Sequence, residues 1–306
     1  MAFLKDAVSG AGSVSSGRQI AAFVNGYSIE VMPRTAAKIA DFSALLPAGT
    51  RVYVAHIEGT PIDDMVATAS RLAHEGFAVM PHLPARMIAD VATLEEWLRR
   101  YADAGVSEAL LLAGGTAKPY GAFNSSIEMM ETGLFDRLGF RRLHVAGHPE
   151  GNRDIDPDGS TAVADAALSW KQAFCERTDA EMAIVTQFAF DARPVIAWSK
   201  RLREAGVTLP IHVGVAGPAR LQTLIKYALS CGVGPSIRVL QRRAMDLRRL
   251  MLPYEPADFL ADLAAHCADD PASLITQAHF FPLGGVTKAA EWANEVSGAV
   301  ALRAAG

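Results

Sequence analysis

Eight short apolar runs, separated by stretches of helical periodicity, constrain the fold of this chain more than any other feature. They are Tyr27–Met32, Arg51–Ile57, Phe77–Leu83, Glu108–Ala113, Leu143–Gly147, Ala183–Phe188, Pro210–Val215 and Ala278–Leu283. Each is nearly continuous in apolar residues rather than strictly alternating, the pattern of a parallel strand covered on both faces. Several helical stretches end in a glycine just before the next run, at Gly76, Gly105, Gly139 and Gly206. Glycine after a helix tolerates the left-handed turn that sends the chain back to the sheet. Strand, helix, glycine, strand, repeated, predicts an α/β fold. Eight units favour closure, and no G-x-G-x-x-G follows the first run, which weighs against an open dinucleotide-binding sheet. The expectation is a single (β/α)8 TIM-type barrel over residues 1–306, with residues 1–25 a helical or irregular lead-in.

Two helical details follow. Thr93 with Glu96 predicts a capping box, Thr93 being the N-cap. The long section from Ala216 to Gln277 predicts helices over Pro218–Leu229, Val239–Leu250 and Pro256–Ala268.

Half of the residues are hydrophobic, enough to fill a large core, and the net charge is −4. A nucleic-acid binder usually carries a clustered basic excess, so that class is not expected. The one basic stretch, Arg238–Leu250, reads as the solvated face of an amphipathic helix. Cys175, Cys231 and Cys267 are an odd, widely spaced set with neither a disulfide framework nor a C-x-x-C pair. They suit thiols in a reducing compartment. The N-terminus lacks the apolar core of a signal peptide, and no run is long enough to span a membrane. A cytoplasmic protein without membrane contacts is expected; homo-oligomerisation is left open.

In such a barrel the active site lies at the C-terminal ends of the strands. Glu30 sits inside the first apolar run, where a carboxylate is costly unless it has a partner or a task. Burial would raise its pKa and make it a general acid. His56, His82, His148 and His279 fall in or just after runs two, three, five and eight, and Gln187 and Asp191 in and after run six. A lone histidine is more often a hydrogen-bonded core residue than a ligand, but several converge here. Gly114-Gly115 and Gly284-Gly285 follow runs four and eight, serving either as tight turns or as places where backbone approaches a ligand.

Five segments, in order, resemble the methylenetetrahydrofolate reductase family. Ser28-Ile-Glu-Val-Met-Pro-Arg34 is similar to that family's S-F-E-F-F-P-P, and Met80-Pro-His-Leu83 to its P-H-L. Val145-Ala-Gly-His-Pro-Glu-Gly151 resembles A-x-Y-P-E-G, and Ala278-His-Phe-Phe281 resembles H-F-Y. The most specific is Ala183-Ile-Val-Thr-Gln-Phe-Ala-Phe-Asp191, close to I-T-Q-x-F-F-D. The resemblance implies an oxidoreductase interconverting 5,10-methylenetetrahydrofolate and 5-methyltetrahydrofolate, with NADH or NADPH as co-substrate and FAD as carrier. It implies Glu30 as the acid that helps open the bridging methylene. It places Gln187 on the pterin, with Phe190, Gly115, Leu221 and Phe280 as further substrate positions. His56, His82, Leu112, Ala113, Gly114, Ala146, His148 and Asn152 fall at cofactor positions.

The departures from the family are specific. Its L-R-G-D is Leu112-Ala-Gly-Gly115 here, so Ala113 replaces an arginine and Gly115 an aspartate. The Tyr and His of Y-P-E-G-H become His148 and Asn152, a stacking aromatic becomes Leu221, and an arginine after the last strand becomes Gly285. The family's lysine near the flavin phosphates falls near Glu176, with Lys171 the nearest lysine. These are mainly losses of flavin contacts, which makes direct hydride transfer from nicotinamide to folate a competing possibility. A metal-dependent hydrolase or lyase could use His56, His82, His148, Glu30 and Glu150 as ligands. A folate-binding barrel without catalysis would also fit the altered Leu112–Gly115 segment.

Overall fold

In the computed structural model, which describes residues 11–116, 118–231, 237–245 and 253–298, all eight runs form strands. They are β1 (Ser28–Val31), β2 (Arg51–Val54), β3 (Ala78–Pro84), β4 (Glu108–Leu112), β5 (Arg142–Gly147), β6 (Glu181–Ala189), β7 (Ile211–Ala216) and β8 (Ile275–Phe281). Every neighbouring pair is parallel, and β1 pairs with β8 through Ser28 opposite His279, so the sheet is a closed barrel in sequence order. Closure leaves no unpaired edge.

The helices are α1 (Ala11–Val24), α2 (Pro33–Ala36), α3 (Ile62–His74), α4 (Val91–Asp103), α5 (Ser126–Glu131), α6 (Leu134–Arg137), α7 (Ala162–Phe174), α8 (Ala192–Glu204), α9 (Leu221–Ser230), α10 (Ile237–Met245), α11 (Ala257–Asp269) and α12 (Val286–Ser297). The outward residues of the strands, such as Ile29, Val52, Leu111, Ile184 and Val213, pack beneath this helical ring in one continuous core. The lead-in contributes α1, which packs against α11 and α12. Gly76, Gly105, Gly139 and Gly206 all adopt positive φ at helix ends, the turn expected of them. Among the described residues no helix is long and apolar enough to cross a membrane.

Two local expectations change. The N-cap of α4 is Asp90, not Thr93: its carboxylate accepts the Thr93 backbone N–H at 2.7 Å and the Thr93 hydroxyl at 2.8 Å. The cap therefore lies three residues before the expected one, and Glu96 pairs with Arg100 at 3.8 Å instead. The helix expected over Val239–Leu250 is described as α10, over Ile237–Met245; residues 246–250 lie outside the described residues.

The barrel axis is polar. Branched apolar side chains usually fill this space. Here it holds Ser28, Tyr53, His144, His212 and His279, beside a small cluster of Tyr53, Met80, Leu110 and Val185. At the N-terminal end of the strands, Glu108 takes Arg51 at 2.7 Å and Arg142 at 3.3 Å, and Arg142 also pairs with Glu181. These charges close the bottom of the barrel.

Candidate active site at the barrel mouth

At the C-terminal ends of the strands lies a cavity of about 1050 Å³. Glu30 and His82 form its floor. Glu30 follows Ser28 by two residues, so both side chains point into the barrel. Burial pushes the Glu30 carboxyl up to about 8. His82 Nε2 lies 3.4 Å from Glu30 Oε2, and burial, with a smaller effect of His56, depresses the imidazole to about 3. The separation alone suggests an ion pair, whereas both shifts oppose charge. Burial is the dominant influence on both groups, and Nε2 makes no aligned hydrogen bond among the described residues. At neutral pH the pair is a carboxylic acid beside a neutral imidazole.

Gln187 reaches the cavity through an irregularity. Val185 pairs with His212 and Phe188 with Gly214, so β6 carries one residue more than β7 between these points. The Thr186 hydroxyl accepts the Gly214 N–H at 2.8 Å and donates to the Gln187 carbonyl at 2.9 Å. A Cβ on Gly214 would stand 2.5 Å from the Thr186 oxygen and 2.7 Å from the Gln187 carbonyl carbon, so only glycine fits against the bulge. The Gln187 side-chain oxygen accepts the Phe188 N–H at 3.0 Å, which fixes the amide in orientation.

One wall is Leu112, Ala113, Gly114, Gly115 and Ala146, with His148 and Asn152 following β5. Burial, and secondarily Lys171, lowers His148 to about 4, while burial brings Lys171 on α7 down to about 8. The loop between β5 and α7 is pinned by Asp156, whose carboxylate accepts the N–H groups of Val163 at 2.8 Å and Ala164 at 3.1 Å.

His56, Phe280, Phe190, Leu221 and Asp191 are not part of the cavity lining. His56 is buried beside Trp97, with ring centroids 5.3 Å apart, and its Nε2–H donates to the Thr60 carbonyl at 3.0 Å. Phe280 points outward to Tyr27 and Trp292, because His279 and Phe281 take the inward places on β8. Phe190 and Leu221 sit in a separate apolar cluster with Phe188, Leu224 and Tyr254 on the β6–β7 side of the mouth. Asp191 caps α8 through the Arg193 N–H at 3.0 Å. Sequence reasoning passed over Arg86, Arg153 and Arg238, which line the cavity. Arg86 and Arg153 stand in no periodic pattern, and Arg238 belongs to the stretch read as a solvated helix face. Among the described residues no group of three His, Cys, Asp or Glu side chains is placed to hold a metal ion.

No protein-family model matches the chain. Among solved structures, it is similar to an uncharacterized protein from Clostridium thermocellum that binds two copies of 5-methyl-5,6,7,8-tetrahydrofolic acid, with a TM-score of 0.55 and 10% identity over 90% of this chain and 97% of that chain. A 7,8-dihydropteroate synthase from Vibrio fischeri ES114 has a TM-score of 0.41 and 10% identity, covering 89% of this chain and 93% of that chain. At such identity the first likeness is one of fold: this chain is a (β/α)8 barrel.

Proposed function

We propose that this barrel binds a reduced folate at its mouth and interconverts 5,10-methylenetetrahydrofolate and 5-methyltetrahydrofolate with a nicotinamide as electron donor. The observation that carries the reading is the placement of Glu30 on the cavity floor 3.4 Å from His82, where burial raises its carboxyl to about 8. A general acid works best with a pKa near the working pH. Glu30 would give its proton to the folate nitrogen as the bridging methylene opens to an iminium. Gln187 would offer the pterin its amide NH2, its oxygen being turned to Phe188. A protein of the same fold binds methyltetrahydrofolate, and this supports the substrate class.

The residues present fit a flavin on the wall of small side chains. Ala113, Gly114 and Ala146 let a flat ring lie against the backbone, and Gly114 has a φ of 95°. His148 and Asn152 would face its outer part. A flavin bound there would carry the hydride between nicotinamide and folate. A second reading has direct hydride transfer from nicotinamide, and Ala113 and Gly115 favour it. No charged side chain stands at either position to tune a flavin ring.

A visible spectrum of the purified protein, followed by NADH and NADPH oxidation with methylenetetrahydrofolate, with and without FAD, tests both. Flavin absorbance with folate-dependent turnover supports the first reading, and turnover without flavin the second. No oxidation under any condition rejects the reductase.

A further inference from the structure

The polar contents of the barrel axis form a column beneath Glu30. The Ser28 hydroxyl lies 2.9 Å from His279 Nδ1, and it stands beside the Tyr53 phenol. The Tyr53 oxygen is 2.6 Å from His144 Nδ1. The Tyr53 and His279 rings are 4.3 Å apart, and those of His144 and His212 are 4.9 Å apart. Four nitrogens of this column and of the floor are buried with no hydrogen-bond partner among the described residues: His82 Nε2, His279 Nε2, His144 Nε2 and His212 Nδ1. Burying a polar atom unpaired is costly, so four in one barrel require an explanation. Water bridging two or more such atoms is the usual one. Below His212 stand Arg51, Glu108, Arg142 and the exposed Glu181, which reach solvent.

We propose that this column, completed by internal water, conducts protons between solvent at the bottom of the barrel and Glu30 at the top, with Tyr53 as its central positioning residue. The proposal rests on the reading of Glu30 as the acid. A bound ligand covers Glu30 from the mouth, so the carboxylate left after proton donation needs another source. A proton arrives from solvent at His212 and is handed on through His144, Tyr53, Ser28 and His279 to Glu30. At each relay group one N–H or O–H bond forms and another breaks, so each ends with as many protons as it began. Only Glu30 gains one. Neutral imidazoles suit this role, since each offers one nitrogen that accepts and one that donates. Ser28 is directly below Glu30 on the same face of β1, which joins column to floor.

The test is infrared spectroscopy of the Glu30 carboxyl stretch, identified by its loss in Glu30→Gln, after transfer to D2O with saturating 5-methyltetrahydrofolate covering the mouth. The wild-type carboxyl is expected to exchange rapidly and Tyr53→Phe to slow exchange several-fold while the ligand affinity stays unchanged. Single-turnover rates should hold in Tyr53→Phe, because the first proton is already on Glu30, while steady-state turnover falls. Ser28→Ala serves in its place should Tyr53→Phe not fold. Exchange as fast in the variant as in the wild type overturns the column. Absence of the carboxyl stretch in the wild type, or of 5-methyltetrahydrofolate binding, overturns the functional reading and takes the column with it.

Discussion

Glu30 and His82 face each other across 3.4 Å from β1 and β3, and neither is charged at neutral pH. Burial lifts the carboxyl and depresses the imidazole, so the proton stays on the group that is the weaker base in water and the stronger one here. Turnover is therefore expected to hold from neutral pH up to about 8 and to fall as pH rises through that value, where Glu30 ionises. A pH–rate profile checks this, and an absence of any fall at alkaline pH would remove Glu30 as the acid. Glu30→Gln should retain folate binding but lose about a hundredfold in turnover, the usual scale for a general acid.

The same residue makes stability depend on pH. Its pKa is about 8 in the folded state against 4.5 ordinarily, so between these values the folded protein holds a proton that the unfolded chain has released. The stabilising contribution is complete below about 4.5 and is lost as pH rises through about 8. Thermal unfolding of wild type and Glu30→Gln should diverge across this window, the wild type losing Tm relative to the variant. Parallel curves would mean that Glu30 ionises as an exposed carboxylate does.

Removal of the Gln187 amide is expected to weaken folate by about 1–3 kcal/mol, the cost of leaving a buried polar partner unpaired. Calorimetric titration of Gln187→Ala with 5-methyltetrahydrofolate measures it. Unchanged affinity would move the pterin elsewhere in the cavity.

Gly214→Ala probes how the amide is held. The added methyl would press on the Thr186 oxygen at 2.5 Å, and strain of this kind typically costs about 1–3 kcal/mol. Both Tm and folate affinity should drop, since the bulge that orients Gln187 must shift. A variant with full affinity and full stability would show that β7 has room to retreat.

Asp156→Ala should loosen the loop between β5 and α7 by removing the acceptor for two backbone N–H groups. Loss of a helix cap costs about 0.5–2 kcal/mol. Hydrogen exchange at Val163 and Ala164 should quicken; unaltered exchange would place the loop's anchor elsewhere.

The barrel was legible because buried parallel strands leave continuous apolar runs and helix ends leave glycines. Glu30 and Gln187 stood out as polar residues within such runs. Direction was harder to read. His279 and Phe280 are neighbours of similar promise, yet only the pleat sends one to the axis and the other to Trp292. Asp90 escaped notice as a cap because Thr93 and Glu96 offer the same signature one turn later. Tyr53, His144 and His212 carry no motif at all, and Ser28 only opens the first-strand one; their association depends on four strands meeting around one axis.

The extra residue in β6 has a consequence for how this strand tolerates change in length. Ile184 and Ala189 both face the helical ring, although an odd number of steps separates them, because the inserted residue reverses the phase of alternation between them. Val185 below and Phe188 above therefore share the inner side. Deleting one residue at 186–187 would restore strict alternation and leave either half of the strand, but not both, in its present orientation. Substitutions along β6 adjust the site, whereas a change of one in its residue count would turn half of it inside out.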